Sequence, residues 1–443
     1  MNTYEGFTRS LLAAAMTALL SSPVHAAESV TDLERRLEQL QQMQQQMQQQ
    51  MRQLQRQIQG QKQTSENVDA LEQKVAQVEG RQDEWLSDSI VHLAGYGEFN
   101  YSDTENADGS FGDFLFAPIF HYQYKDLMML ESELEITVND AGETETKLEY
   151  LTLDLFLNDY MVLVGGRFLS PIGQFRQNLH PSWINKLPTA PPGFGHDGAA
   201  PISETGLQLR GGIPLGRGMF ANYAVYVGNG PEILAEAEGA AGETDFEFEL
   251  DGVEAEGMNS DEDGEKVFGG RLGLLPFPGL EIGISGATGK ATVTELEHVD
   301  IESGFLGGTE EDAEAQLAGE PDRDYDVFGF DLAWQWRGLD LRGEYVKTEI
   351  GDEAGSVAAD GAEWESWYTQ AAYKFAPTKL EGVLRYTDFD APHASAEQEQ
   401  WMLGVNYLFA SNVIAKFAYE FNDGQTGAVT DDDAFRAQLA YGF

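Results

Sequence analysis

The last ten residues, 434–443, constrain the fold of this chain more than any other stretch. Every second residue is apolar, in the series Phe435, Ala437, Leu439, Tyr441 and Phe443. The residues between them are small or polar, and a period of two is typical of a β-strand with one apolar and one wet face. About ten tilted residues are enough to cross a bilayer. The pattern predicts the closing strand of a bacterial outer-membrane β-barrel, with an ordinary sandwich strand as the alternative.

The same alternation recurs from a first strand at 93–101 onward and gives about sixteen strands, an even number typical of such barrels. Alternate apolar side chains are predicted to face lipid, for example Leu151, Leu153, Leu155 and Leu157, then Tyr160, Val162, Val164 and Phe168, and later Trp401, Leu403, Val405, Tyr407 and Phe409. We therefore predict an all-β transmembrane barrel of about 16 antiparallel strands over residues 91–443.

The connections alternate in length. Short turns rich in Gly, Pro, Asn and Asp take every second position. Long polar loops take the others, at about 102–113, 138–145, 169–203, 229–265, 289–324, 349–363, 389–398 and 422–433. Short periplasmic turns and long extracellular loops are characteristic of outer-membrane barrels. This regular sorting by length favours a barrel over a sandwich.

The first ninety residues differ in kind. Residues 1–26 predict a signal peptide, because Arg9 precedes an apolar run and small residues follow it. Residues 27–90 carry apolar side chains at steps of three and four within a Gln-rich tract, which predicts an α-helical coiled coil. A disordered Gln-rich spacer is the alternative. With the termini on the short-turn side, this coil is expected in the periplasm.

Composition excludes several functions. The chain has no cysteine, only seven histidines and a net charge of −48. Thiol chemistry is therefore excluded, and we expect no catalytic residues, metal or cofactor. Nucleic acid is not an expected partner, because its phosphates need a basic surface. The acidic loops 229–265 and 289–324 predict a solvated rim, cation attraction, or divalent bridging to lipopolysaccharide. Residues 259–264 resemble the start of a calcium loop, but Gly270 occupies the position of the bidentate Glu.

Charged residues at the alternate positions are predicted to line the pore. The cationic set is Arg167, Arg210, Arg271, Arg342, Arg385 and Arg436, and the acidic set is Glu131, Glu133 and Glu135. Two opposed charged walls would create a transverse field that selects ionic solutes. The alternative is that these charges only pair with one another and brace the wall.

The loop from Leu169 to Glu204 is rich in Pro, Gly and aromatic residues, which predicts an ordered segment. We expect it to fold inward as a constriction, with Arg176, His180 and Lys186 as its cationic or titratable groups. An outer loop packed at a trimer contact is the alternative.

Several short motifs resemble the phosphate-selective porins O and P. They are the segments 95–99, 132–135, 166–168 with 171–173, and 226–230. The resemblance implies a trimeric, sixteen-stranded outer-membrane porin, with anion uptake if the family's basic pore residues are present. Arg167 is the clearest match to a motif position. The strongly acidic loops depart from that pattern.

The sequence as a whole favours a porin for passive diffusion of small hydrophilic or ionic solutes, with anions such as phosphate as one class. Its expected location is the outer membrane of a Gram-negative bacterium, with membrane lipids, lipopolysaccharide and two further copies of the chain as partners. The alternatives are a general or cation-preferring porin, a structural tether acting through the coil, and a barrel hydrolase. A hydrolase would need a Ser–His or Asp–His arrangement at strand ends.

Overall fold

The computed structural model describes residues 89–138, 142–195, 198–255 and 264–443. The predicted signal peptide, the predicted coil up to residue 88 and most of the calcium-like motif lie outside these ranges. Among the described residues, no helix is long and apolar enough to cross a membrane.

Sixteen antiparallel strands form a closed barrel, as predicted. The barrel strands are β1 (Ser89–Thr104), β2 (Ala107–Tyr124), β3 (Met128–Val138), β4 (Thr144–Asn158), β5 (Met161–Leu169), β6 (Ser203–Gly216), β7 (Met219–Gly228), β10 (Val267–Phe277), β11 (Leu280–Ala291), β13 (Arg323–Trp336), β14 (Leu339–Ile350), β15 (Ala362–Lys374), β16 (Leu380–Asp390), β17 (Gln398–Ala410), β18 (Val413–Gly424) and β19 (Ala434–Gly442). Strands β1 and β2 run through most of the predicted loop 102–113 and leave only a tight turn there.

The carboxyl-terminal residue closes the barrel. The Phe443 N–H donates to the Gly95 carbonyl at 2.9 Å, and the Gly95 N–H donates to the Phe443 carbonyl at 3.1 Å. The Phe443 ring stacks on Phe116, with ring centroids 5.9 Å apart. A Cβ on Gly95 would lie 2.4 Å from the Ala117 carbonyl oxygen, so this seam needs a glycine. The terminal strand is therefore fixed on both edges.

Burial alternates along the strands as the sequence predicts. On β17, Trp401, Leu403 and Val405 are exposed on the outer face, whereas Met402 and Asn406 are buried inside. In a closed barrel the outer face meets lipid, and the inner face meets water or protein.

Strand β5 corrects one prediction. Val162, Val164 and Phe168 were expected to face lipid, but all three are buried in the inner apolar cluster. They pack there with Ile172 and Phe175 of the segment that follows β5. The expectation was wrong because this part of the inner wall faces packed protein rather than water.

Two predicted outer loops contain a second sheet. Strands β8 (Pro231–Gly239), β9 (Glu247–Ala255) and β12 (Val293–Ile301) form a three-stranded sheet in the order β12-β8-β9. We call it the cap sheet. A one-turn helix, α1 (Glu310–Glu314), follows it. The prediction of polar loops at 229–265 and 289–324 missed this sheet.

The apolar core of the molecule lies inside one side of the barrel. Ile233, Leu250 and Val293 of the cap sheet belong to the same buried cluster as Tyr325 and Val327 of β13. The cap sheet therefore packs on the inner wall near the long-loop rim.

Candidate functional site

Residues 170–195 and 198–202, which we call the inner loop, leave the end of β5 and enter the barrel. The Gly173 N–H donates to Ser285 Oγ at 3.1 Å. The Gln174 N–H donates to a Glu344 oxygen at 3.0 Å, and the Phe175 N–H donates to the other at 3.2 Å. Ser285 and Glu344 are buried residues of the inner wall. One carboxylate thus accepts two otherwise unsatisfied N–H groups at the start of a π-helical turn, Phe175–Leu179.

Three cations fasten the second half of the inner loop to the strands near the barrel seam. Lys186 Nζ lies 2.9 Å from Glu381 Oε1. The buried Lys416 ammonium donates to the Ser182 carbonyl at 2.5 Å and to the Leu187 carbonyl at 3.1 Å.

Arg385 completes these anchors. Its guanidinium donates to the Thr189 and Ala190 carbonyls, each at 3.0 Å. Main-chain carbonyls are good acceptors for a buried cation, so these contacts help to stabilise the charge and hold the loop.

The inner loop also contacts β3 and β4. Arg176 lies 3.6 Å from Glu149, and His180 Nε2 lies 3.7 Å from Glu133 Oε1. The predicted constriction residues Arg176, His180 and Lys186 therefore each lie beside a wall carboxylate. The loop connects different arcs of the inner wall and narrows the space between them.

The predicted acidic strip is Glu131, Glu133 and Glu135 on β3. Leu134, between the last two, points outward, so the three carboxylates share the inner face. Glu131 accepts a hydrogen bond from the Tyr150 hydroxyl at 3.1 Å. Glu133 faces His180 as described, so at least two of the three carboxylates have polar partners.

Four of the six predicted arginines form ion pairs inside the barrel. Arg210 lies 2.6 Å from Asp154, and Arg436 lies 3.0 Å from Glu420. Arg342 lies 2.9 Å from Asp340 on its own strand.

Arg271 is the most heavily bonded of the set. It binds Asp331 at 2.6 Å and Glu281 at 3.0 Å. With Arg385 bonded to loop carbonyls, each lumen arginine of the set has an anionic or carbonyl partner. This pairing matches the bracing alternative better than a bare cationic wall.

Arg167 lies on the other side of the wall. Between β4 and β5, Leu151 pairs with Arg167 and Leu153 pairs with Gly165. Between β5 and β6, Gly165 pairs with Leu207. Leu153 and Leu207 are exposed on the outer face, and directly paired residues share a face. The structure thus places Arg167 outside the lumen, and its Nε donates to Ser203 Oγ at 3.0 Å. The sequence-based placement failed because β5 carries its apolar residues inward.

The cap sheet carries a separate polar cluster. Glu236, Asp251 and His393 place one ligand-type atom each within 4.8 Å of one another. A hydrogen bond with Asp251, together with burial and the charges of Glu254 and Glu236, raises the pKa of Glu297 to about 7. Glu297 therefore keeps its proton to a higher pH than an isolated glutamate would.

Sequence reasoning missed Lys416 and Glu344 as loop anchors. Lys416 alternates with the outward Phe417 on β18, so its inward position was available from the pattern. Its partners were not, because they are loop carbonyls distant in sequence.

The family model for phosphate-selective porin O and P matches residues 310–443. The match covers 134 of the 443 residues, at the carboxyl-terminal end of the barrel. The resemblance seen in the sequence is thereby confirmed. No curated protein sequence matches the chain.

Solved structures show related folds. The anion-selective porin from Comamonas acidovorans is 15% identical, covers 80% of this chain and 100% of its own, and has a TM-score of 0.51. Salmonella typhi OmpF in complex with daunomycin is 13% identical, with coverages of 82% and 100% and a TM-score of 0.49. The outer-membrane channel DcaP of Acinetobacter baumannii is 10% identical, with coverages of 82% and 99% and a TM-score of 0.47. The likeness to the Comamonas porin shows a shared barrel fold, and with the family match it supports an outer-membrane channel rather than an enzyme.

Proposed function

We propose that this chain is a passive porin for small hydrophilic and ionic solutes, with the inner loop as its size filter. The observation that carries the proposal is the inner loop itself, which is bonded to several arcs of the wall inside a closed barrel. A loop fixed by buried hydrogen bonds and ion pairs sets a constant aperture, as passive size selection requires.

The inner loop offers a direct test. Its ends already meet, because the Ser170 N–H donates to the Ile202 carbonyl at 2.9 Å. A few Gly and Ser residues can therefore replace residues 171–201 without parting β5 from β6. In planar bilayers the full chain should give steady ohmic steps, and the loop-deleted barrel should give larger steps and admit larger sugars in liposome swelling.

The matched control shortens the outer loop between β18 and β19, and the step size should then stay unchanged. The proposal fails if the purified, folded full chain conducts no current, or if deleting the inner loop leaves the size limit as it was.

Selectivity follows from the pairing of the lumen charges. Arg210, Arg271, Arg342 and Arg436 each face a carboxylate, and the chain has a formal net charge of −48. Paired arginines attract anions less than free ones, since the partner cancels most of their field. We therefore propose a general or cation-preferring porin over a phosphate-selective one, with the sign of the reversal potential in a salt gradient as the test.

The proposed assembly is a homotrimer in the outer membrane, with the coil in the periplasm. Arg167 lies on the outer face two residues before the end of β5, at the long-loop rim, where its guanidinium can also meet an anionic or polar group from outside the barrel. Lipopolysaccharide phosphates at the rim and a second subunit are the two candidates. Native mass spectrometry of the wild type and Arg167→Ala in lipid-free micelles separates them, since only a subunit contact would change the oligomer.

A further inference from the structure

Two histidines lie side by side on the inner face at the short-turn rim. Strand pairing sets His92 of β1 opposite His121 of β2, and His121 opposite Glu131 of β3. The His92 and His121 rings are inclined by 23° with centroids 5.5 Å apart, and their Nδ1 atoms face each other edge to edge at 3.3 Å. Tyr96, four residues further along β1 on the same face, is buried and packs edge-on against His180 of the inner loop. This face of β1 therefore looks into the lumen.

Glu131 determines which ring nitrogen of His121 carries the proton and which one is available as a ligand. His121 Nε2 lies 3.3 Å from Glu131 Oε1, and the Tyr150 hydroxyl donates to the same oxygen at 3.1 Å. A carboxylate beside Nε2 favours the tautomer with its proton on Nε2, so the lone pair sits on Nδ1. That lone pair points to His92. Metal-binding histidines usually donate their other N–H to a carboxylate in this way.

The spacing fits a metal ion between the rings. Zinc binds imidazole nitrogen at about 2.0–2.1 Å, and two nitrogens on one tetrahedral ion are then about 3.3–3.4 Å apart. A proton shared between the two Nδ1 atoms would also hold them at this distance. A borderline divalent ion can take the place of that proton, because imidazole is a good ligand for zinc, copper and nickel.

We propose that His92 and His121 form a binding site for a divalent transition-metal ion on the lumen wall, with Glu131 as the group that orients His121. His92 is exposed, whereas the His121 side chain is 17% exposed and that of Glu131 is 8% exposed. The site thus has one exposed and one largely buried ligand, and its remaining coordination positions open to lumen water. The proposal is independent of the porin function, because it concerns equilibrium binding and not conductance.

The test uses the folded full chain in detergent with copper(II) as a spectroscopic probe and zinc as a competitor. Electron paramagnetic resonance should show two imidazole nitrogens on one bound copper in the wild type. His92→Ala should remove one nitrogen and weaken binding about tenfold or more. His121→Ala should act in the same way, and Glu131→Gln should keep both nitrogens but weaken binding by about 10–100-fold.

The control is His393→Ala, which removes the histidine of the cap-sheet cluster and should leave the bound copper unchanged. His92 is exposed near the start of β1, so its replacement leaves the buried wall intact even if His121→Ala fails to fold. The proposal is overturned if His92→Ala leaves the affinity and the spectrum unaltered. It is equally overturned if only His393→Ala abolishes binding, which would put the metal in the cap sheet.

Discussion

At the scale of single residues, the alternation of apolar and polar residues predicts correctly which face of the barrel most side chains occupy. The prediction works only where the inner face of the strand meets water. Where the lumen side is polar, as on β17, the apolar series gives the outer face directly. On β5 the inner wall packs against the inner loop, so both faces of the strand are apolar. The alternation therefore does not show on which face Arg167 lies. No local pattern marks this reversal, because the covering residues lie further along the chain.

Gly173 gives a residue-scale prediction about the inner loop. Its φ is +67°, and a Cβ there would lie 1.7 Å from Glu344 Oε1. Gly173→Ala should displace this carboxylate, so the Gln174 and Phe175 N–H groups lose their acceptor. A cost of about 1–2 kcal/mol corresponds to about 5–30-fold faster amide exchange. Hydrogen exchange of residues 173–175 is the measurement.

The matched control for this change is Gly427→Ala. Its φ is +92°, and nothing lies within 4 Å of its ideal Cβ. Both variants carry the backbone strain of a non-glycine residue at positive φ, but only Gly173→Ala adds the contact with Glu344. Equal exchange of the inner loop in the two variants would contradict the anchoring role of Glu344.

At the scale of elements, the sixteen barrel strands were predictable and the cap sheet was overlooked. Phe246, Phe248 and Leu250 alternate with acidic residues, so a period-two signal was present in the segment read as an acidic loop. The abundance of carboxylates concealed it. The course of the inner loop was suggested by its composition, whereas its anchors arise only when distant strands close into a barrel.

The cap sheet yields a pH prediction. The Asp251 contact raises the pKa of Glu297 to about 7, above its ordinary value of 4.5. Because this carboxyl pKa is higher in the folded cap, protonation of Glu297 stabilises the folded state. The stabilisation is complete below about pH 4.5 and disappears as the pH rises through about 7. Amide protection of β9 and β12 should therefore be lower at pH 8 than at pH 5.

Glu297→Gln should remove much of this pH dependence, because the amide stays neutral beside Asp251. The control is Glu295→Gln, which changes an exposed carboxylate on the same strand. If Glu297→Gln and Glu295→Gln alter the protection at pH 8 equally, the protonation of Glu297 does not control the cap.

At the scale of the whole molecule, closure of the barrel places one arginine in the lumen and another on the outer face. Arg210 lies in the lumen beside Asp154 and is 36% exposed, whereas Arg167 shares the outer face with the leucines of β4 and β6. Both are single positive charges on the adjacent strands β5 and β6, so they make a matched pair. If ion selectivity depends on charges in the lumen, replacing Arg210 should change it and replacing Arg167 should not.

Arg210→Ala should shift the reversal potential in a KCl gradient toward cation preference, because it leaves the Asp154 carboxylate without its partner. A cation passing about 4 Å from that charge in water gains about 1 kcal/mol, which corresponds to about a fivefold change in relative permeability. Arg167→Ala should leave the reversal potential in phosphate and in chloride unchanged. If Arg167→Ala instead produces the larger shift, its guanidinium faces the solute path, and the strand register that places it outside the lumen is wrong.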